Sequence, residues 1–330
     1  MRKACGALLV GLAGCCAEPA AADDTTAALG AGGIVLTKAA PLRMASEDLT
    51  ISPDAVHIRY VFANDSAKDV DTLVAFPLPD IDTWNFYESP LGETTNDAVN
   101  FVGFKATADG KPVPVTVEQR AIYRGKDVTA LIQSVGVPVN VILNQNFHKL
   151  DALPPTKKRL LERAGIAEAD APDQEHPKWL VRTRFYWQQH FPAHGRVTIE
   201  HSYKPVTGQA FFSAIEANAA AGSADDSWKK RYCMDAGTVA KLKTMTAAAQ
   251  KHPDKNSGML EAYSTDFILK TANNWQGGIG KFHLVIDKLK PGNVLSLCWD
   301  GTLVRTGPTT FAFDATDFHP RQDLAFVVLE

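Results

Sequence analysis

The sequence predicts a mainly β protein: an immunoglobulin-like β-sandwich with a helical insertion, arranged as two consecutive β-rich domains. Two observations indicate this architecture. Short runs of alternating apolar and polar residues recur along the chain, and turns rich in Gly, Pro, Asn and Asp separate them, as in sandwich proteins. Within 126–177, the spacing of the apolar residues changes from the period of a strand to that of a helix.

The clearest strand signals lie in the segment 56–79. Alternate residues in its first half share one apolar face: Val56, Ile58, Tyr60 and Phe62. Residues 64–66 then interrupt the pattern, because Asn, Asp and Ser side chains hydrogen bond to nearby backbone groups. The apolar run 73–76 resumes it until Pro77, which lacks the N–H group that a ladder requires. The segment therefore predicts two antiparallel strands of a sandwich.

Two hairpins are predicted further along the chain. Asp109 and Gly110 form a strong turn signal between two strand-like segments. Alternation returns in 179–187 and 197–203, with a Pro- and Gly-containing turn between them. The second hairpin is expected to complete the first sandwich.

Helical spacing marks an insertion between these hairpins. Asp127 suits the N-cap of a first helix that ends near Gly136. A second helix is predicted over 155–164, and 167–177 is predicted to be a polar linker. Residues 126–177 therefore form a predicted helical insertion in the N-terminal domain, and its surface is a candidate for function.

The predicted domain boundary lies near Thr207, so that the N-terminal domain covers 23–206. The Ala-, Ser- and Asp-rich segment 214–226 is expected to be partly mobile. Asp235 suits the N-cap of a helix, and short strands follow it. These features predict a second domain over 207–330, made of a helix and β-strands.

The N-terminus predicts export. Arg2 and Lys3 precede the apolar run 4–13 and then small residues up to Ala22, a pattern typical of a secretory signal peptide. The run is too short for a membrane-spanning helix, which needs about 20 residues. Cleavage after Ala22, removing 1–22, predicts a periplasmic or secreted protein. A lipobox-like segment before Cys15 leaves the alternative of a lipoprotein anchored through that cysteine.

The composition indicates a folded chain without a nucleic-acid partner. An apolar fraction of 45% and a charged fraction of 22% exclude a wholly disordered protein. The formal net charge of -3 gives no indication of the basic surface that nucleic acids require. Beyond the leader, Cys233 and Cys298 could form a disulfide in an oxidising compartment, or could be buried free thiols.

Three histidines give a metal hypothesis. His190, His194 and His201 are close in sequence, and neutral imidazoles bind zinc or copper, so a metal-dependent hydrolase is one alternative. Their spacing matches no standard metal motif. His201 also shares its strand face with Ile199 and Tyr203, which indicates a core histidine as the other interpretation.

Aromatic residues give a ligand hypothesis. Trp84, Phe86 and Tyr87 lie in one loop and Trp275 lies beside two asparagines, so they could stack on a sugar or lipid-like ligand. No nucleophile elbow, phosphate loop or cofactor motif is recognisable, which favours a non-catalytic protein without a cofactor. We therefore favour an exported binding or structural protein of the cell envelope. Its partner would be another envelope protein, contacted through an edge strand or the insertion.

Several segments resemble one bacterial family. They are AALGAGGIVLTK, RMASEDLTISPDAVHIRYVFANDS, VAFPLPDID, FPAHGRVTIEHSYKP and NWQGGIGKFHLVIDK. They resemble the uncharacterised family called domain of unknown function 4424, over essentially the whole mature chain. Since members are exported proteins of this size, the resemblance implies export with cleavage after Ala22. It implies no activity and no site residues.

Overall fold

The structure is a computed structural model that describes residues 25–30, 33–37, 41–86, 95, 97–143, 146, 148–171, 174–222 and 227–330. The predicted signal peptide lies outside these residues. Strands are the main secondary structure, so the protein is mainly β as the sequence predicts. The immunoglobulin-like topology stays a prediction.

Strands occupy most of the chain, and the helices fall between them in a few places. The strands are β1 (Thr25–Gly30), β2 (Gly33–Thr37), β3 (Leu42–Ile51), β4 (Val56–Asn64), β5 (Val70–Pro77), β6 (Ile81–Asp82), β7 (Lys105–Ala108), β8 (Lys111–Pro112), β9 (Thr116–Tyr123), β10 (Lys126–Asp127), β11 (Ala167–Ala171), β12 (Gln174–Pro177), β13 (Leu180–Phe191), β14 (Arg196–Tyr203), β15 (Thr207–Phe212), β16 (Leu260–Phe267), β17 (Ile279–Asp287), β18 (Val294–Leu297), β19 (Val304–Arg305), β20 (Thr310–Phe318) and β21 (Leu324–Leu329). The helices are α1 (Thr83–Phe86), α2 (Thr129–Ser134), α3 (Pro155–Arg163), α4 (Ala214–Gly222), α5 (Ser227–Tyr232) and α6 (Ala236–Ala249), with short 3-10 helices at Asn256–Gly258 and Lys270–Asn274.

Two large sheets pack face to face around a common core. One sheet has the strand order β10-β9-β13-β5-β1-β2, and the other has the order β19-β20-β17-β3-β4-β14-β7-β8. Aromatic side chains meet between them: the ring centroids of Phe62 and Phe191 are 6.0 Å apart, and those of Phe76 and Tyr203 are 5.4 Å apart. Burial of these large rings supplies much of the hydrophobic driving force for the packing.

Strand alternation builds this core, but it does not decide which strands pair. Trp179 and the inward residues of β13, including Val181 and Phe185, are buried as their spacing predicts. The predicted hairpin of 179–187 with 197–203 is wrong, because β13 pairs with β5 and β9 whereas β14 pairs with β4 and β7. The turn between them carries the chain from one sheet to the other. Period-two patterning fixes the buried face of a strand and leaves its partner open.

Strands from both sides of Thr207 share one sheet. β17 pairs in parallel with β3, from Phe282 opposite Glu47 to Ile286 opposite Ile51. The same hydrophobic core contains residues of both strands. The predicted boundary therefore does not separate two independent sheets, and the independent folding of 23–206 and 207–330 stays a prediction.

A third sheet lies between this core and the C-terminal helices. Its strand order is β15-β16-β21-β18. On β21, Phe326 and Val328 pack into the common core, whereas Val327 and Leu329 pack in a second cluster with residues of α4 and α6. Burial on both faces explains the continuous apolar sequence of this strand.

The insertion differs from its prediction in two places. Asp127 belongs to β10, and Val128 takes the N-cap position of α2, although the Asp127 carboxylate accepts a hydrogen bond from the Thr129 N–H at 2.8 Å. α3 begins with Pro155, whose fixed φ suits the first helical position, and Gly165 follows the helix with a φ of 72°. The segment predicted as a polar linker instead contains the β11–β12 hairpin, in which Ala167 lies opposite Pro177. Its backbone hydrogen bonds outweigh the poor strand propensity of its polar sequence.

Three helices, α4, α5 and α6, lie between β15 and β16. The Asp235 carboxylate caps α6 by accepting a hydrogen bond from the Thr238 N–H at 2.6 Å, as the sequence predicts. The described part of the segment expected to be partly mobile contains α4, in which Ala217 and Ala220 are buried against neighbouring apolar residues, and its mobility stays a prediction. Small side chains allow this close packing, which a composition-based interpretation does not detect.

We expect the Leu284→Ala substitution in β17 to lower the free energy of unfolding by about 2–5 kcal/mol, since it removes a fully buried side chain. Because β17 and β3 share a sheet, far-ultraviolet circular dichroism and tryptophan fluorescence should show the same single unfolding transition. In the variant, its midpoint should lie at a lower denaturant concentration. Val285→Ala, on the other face of β17, is the matched control and should lower the free energy of unfolding by less. Two separate transitions, of which only one moves, would contradict the shared core.

Candidate functional site

A cleft lies where α5 and β15 face the segment 79–85. Its volume is about 480 Å³, within the range of small-molecule sites. One wall carries Asp80 and Asp82, and the other carries Trp228, Arg231 and residues 208–210 of β15. The walls come from opposite sides of the predicted domain boundary, so the fold as a whole assembles the cleft.

The carboxylates of the first wall are held in place. Arg182 of β13 donates two hydrogen bonds to Asp80, from Nε to Oδ1 at 3.0 Å and from Nη2 to Oδ2 at 2.7 Å. Asp82 accepts hydrogen bonds from the Trp84 N–H at 3.1 Å and from Asn85 Nδ2 at 2.7 Å, at the start of α1. Among the described residues, Asp82 has no cationic partner within ion-pair distance, so it gives the cleft a negative charge.

The second wall combines aromatic rings with an ion pair. The ring of Trp228 lies 5.8 Å from that of Tyr232. The Tyr232 hydroxyl donates to Ser264 Oγ at 2.9 Å, and burial raises the pKa of this phenol. Arg231 Nη2 lies 3.1 Å from Asp266 Oδ2. Desolvation by the surrounding protein raises the pKa of Asp266, against the lowering effect of Arg231.

A disulfide secures this wall. Cys233 follows α5 directly, and its Sγ lies 2.00 Å from that of Cys298, with the Cα atoms 4.9 Å apart. Ser296 Oγ adds a hydrogen bond to the carbonyl oxygen of Tyr232 at 2.9 Å. The bond closes a loop of 65 residues, for which chain entropy gives about 4 kcal/mol of stabilisation. It therefore ties α5, which forms one wall of the cleft, to the residue that follows β18 in the third sheet.

The structure does not bring the three candidate histidines into a metal site. His201 points into the core, with its ring centroid 4.9 Å from Phe104 and 5.5 Å from Trp187. His190 lies on the outer face of β13, where its Nδ1 is 2.8 Å from Asp71 Oδ1. Within the described ranges, no group of three His, Cys, Asp or Glu side chains is placed to hold a metal ion. Alternation and a change of sheet direct the imidazoles of His190 and His201 to different places, and the metal hypothesis stays a prediction.

The candidate aromatic residues do not form one site either. Trp275 is buried, and its ring lies 4.4 Å from Phe62 in the core. Trp84 is 45% exposed, and Lys178 Nζ lies 5.4 Å from its ring centroid. Phe86 ends α1, and Tyr87 lies outside the described residues. A shared site for Trp84, Phe86 and Tyr87 stays a prediction, whereas Trp275 belongs to the core.

The sequence did contain a signal for one wall of the cleft, although no standard motif covers it. Trp228 and Tyr232 are four residues apart, which places both rings on one side of a helix, and Cys233 follows at once. An aromatic pair beside a cysteine in an exported chain indicates a helix fixed by a disulfide. The opposite wall gave no such signal, because it comes from a segment far away in sequence.

The surface of the insertion was a further candidate for function. Leu160 is the large hydrophobic side chain that the described part of the insertion exposes, whereas Ile132, Leu150 and Leu161 are buried.

In the described part of the chain, no helix has both the length and the apolar composition to cross a membrane.

Comparisons with known proteins identify a family. The family model described as "Domain of unknown function (DUF4424)" matches residues 22–327. No curated protein matches the chain. Among solved structures, a crystal structure from Legionella pneumophila, described as that of "a putative nutrient binding protein", is 16% identical, with a TM-score of 0.46, and the match covers 94% of this chain and 70% of that one. At this level of similarity, the description stays with the Legionella protein.

We expect the His201→Leu substitution to change the pH dependence of stability. Burial lowers the pKa of His201 from 6.5 to about 3, so the folded chain excludes a proton that the unfolded chain binds below pH 6.5. Stability should therefore fall by about 1.4 kcal/mol per pH unit as the pH drops from 6.5 towards 3, and the substitution should remove this slope.

The measurement is urea unfolding of both proteins at several pH values. His57→Leu, at an exposed position of the neighbouring strand β4, is the matched control. An unchanged slope in the His201→Leu variant would show that the imidazole is not buried as described.

Proposed function

This chain belongs to the domain of unknown function 4424 family, and on that premise we propose that it is an exported, non-catalytic binding protein of the bacterial cell envelope. The observation that carries the proposal is the cleft between the segment 79–85 and the α5–β15 wall. It offers aromatic surface, carboxylates and backbone groups in one concave site, which is the usual composition of a binding pocket.

Export is supported by two independent features. The sequence 1–22 has the pattern of a signal peptide, and Cys233 and Cys298 lie at disulfide distance. A periplasmic or secreted chain beginning at Asp23 is the proposed form. A lipoprotein attached through Cys15 is the alternative, and the mass of the mature chain distinguishes the two.

Recognition of a ligand is supported by the state of the cleft carboxylates. Asp80 is engaged by two hydrogen bonds from Arg182, and Asp266 is paired with Arg231. Asp82 accepts two hydrogen bonds that orient it. Asp80 and Asp82 are therefore suited to recognise a ligand by fixed hydrogen bonds. Asp266 differs from them, because burial raises its pKa in the direction that general acid–base catalysis uses.

Two finer statements belong to the proposal. A sugar or lipid-like small ligand is one candidate occupant, which Trp228 favours because it presents an aromatic surface in the cleft. A second envelope protein is the other. The immunoglobulin-like description of the two facing sheets is also part of the proposal, supported by their antiparallel pairs and aromatic core.

Native mass spectrometry of untagged protein recovered from the envelope of its host tests the proposed function. We expect extra mass that is lost on denaturation, and a denatured chain that begins at Asp23. The Trp228→Ala variant should lose most of the extra mass, because it removes the aromatic surface of the cleft. Trp84→Ala, outside the cleft lining, should retain it.

Unchanged melting temperatures of both variants would show that they are folded. A bare wild-type chain, or equal retention of the extra mass by both variants, would contradict the cleft as the binding site. A diacylglycerol-modified chain beginning at Cys15 would replace the proposed localisation by membrane anchoring.

A further inference from the structure

The strand β15 is an open edge of the third sheet. Among the described strands, it pairs only with β16. The direction of its hydrogen bonds follows from the next ladder, where Glu261 and Glu330 exchange both backbone bonds at 3.0 Å. The backbone N–H and C=O groups of Glu261 are therefore directed towards β21. Consecutive residues of a strand direct their backbone N–H and C=O groups to opposite neighbouring strands. The backbone groups of residues 262 and 264 are therefore directed towards β15.

The register then identifies the backbone groups of β15 that no described strand pairs with. Residues 262 and 264 lie opposite Ala210 and Gly208, so these two residues bond to β16. Gln209 and Phe211 must direct their N–H and C=O groups away from the sheet. Each offers one donor and one acceptor at the open edge, the arrangement to which a further strand can add.

The edge lacks the features that usually prevent such pairing. The sequence of β15, TGQAFF, contains no charged residue and no proline. At its C-terminal end, Phe211 is 57% exposed and Ile215, in the first turn of α4, is 78% exposed. Exposed apolar side chains beside an unprotected edge indicate a surface that a polypeptide partner covers.

The open edge and the cleft are the same place. Residues 208–210 form part of the cleft lining, and Asp82 faces them from the other wall. The ion pairs of Asp80 and Asp266 neutralise those carboxylates, whereas Asp82 has no described cationic partner. A segment lying along β15 would therefore meet a negative charge inside the cleft and an apolar surface at the end of the strand.

We infer that the ligand of the cleft is an extended polypeptide segment that adds to β15 as the fifth strand of this four-stranded sheet. The backbone of the bound segment forms hydrogen bonds with the backbone of Gln209 and Phe211. One of its basic side chains faces Asp82, and one of its apolar side chains covers Phe211 and Ile215. This inference rests on the proposed function and narrows its ligand to one class.

Isothermal titration with a synthetic peptide tests the inference. The probe is an acetylated and amidated peptide of about eight alternating Val and Lys residues, long enough for one strand. The Gln209→Pro substitution removes an outward N–H group without removing a bond to β16, and should weaken binding about tenfold. Gln209→Ala keeps that N–H group, so it is the matched control and should bind like the wild type.

Two further comparisons separate strand addition from simple charge attraction. A Val–Lys peptide that is N-methylated at alternate residues keeps its charge but cannot complete the ladder, so we expect its binding to be lost. Asp82→Asn should weaken the Val–Lys peptide several-fold, and a Val–Glu peptide should bind weakly to the wild type.

Three outcomes would overturn the inference: no binding of the Val–Lys peptide, equal binding of its N-methylated form, or equal affinity of the Gln209→Pro and Gln209→Ala variants. In each case the proposed function is tested separately by native mass spectrometry. That test asks whether the native protein carries extra mass and whether the Trp228→Ala variant loses it. If that mass is a sugar or lipid, the cleft remains a binding site and strand addition is wrong.

Discussion

The parallel pairing of β3 with β17 is the constraint on which the rest of this structure depends. Every other pair between strands of the large sheets is antiparallel in the described residues, and most are made within 25–206. The β3–β17 pair joins the later part of the chain to the sheet that the earlier part builds. It thereby fixes the position of the third sheet, which shares the same core through Phe326 and Val328.

The cleft is a consequence of this arrangement. Asp80 and Asp82 follow β5, a strand of the first large sheet, whereas Arg231 belongs to α5 and packs on the third sheet. Neither wall forms a concave site alone. The disulfide of Cys233 and Cys298 then holds the α5 wall against a sheet that is anchored through the core. The core and the disulfide fix the two walls in place, and the edge of β15 lies open at the cleft between them. This edge is the proposed binding site.

The sequence predicted elements better than it predicted their partners. The inward face of β13, the cap at Asp235 and the helix after Pro155 all follow from local chemistry, and the structure contains them. The hairpin of β13 with β14 was wrong, because alternation carries no information about which strands meet across a sheet. The cleft could not be derived for the same reason, since Asp82 and Gln209 are brought together only by long-range pairing. His201 was the exception among the candidate residues, because its apolar neighbours on the strand already indicated a place in the core.

Residue-specific amide hydrogen exchange of β15 tests whether this strand is an open edge. In the free protein, we expect slow exchange for the amides of Gly208 and Ala210, which bond to β16, and fast exchange for those of Gln209 and Phe211. Adding the Val–Lys peptide should slow the exchange of Gln209 and Phe211 and leave the other two unchanged. Slow exchange of Gln209 and Phe211 in the free chain would show that the edge is already covered, and would contradict the open cleft.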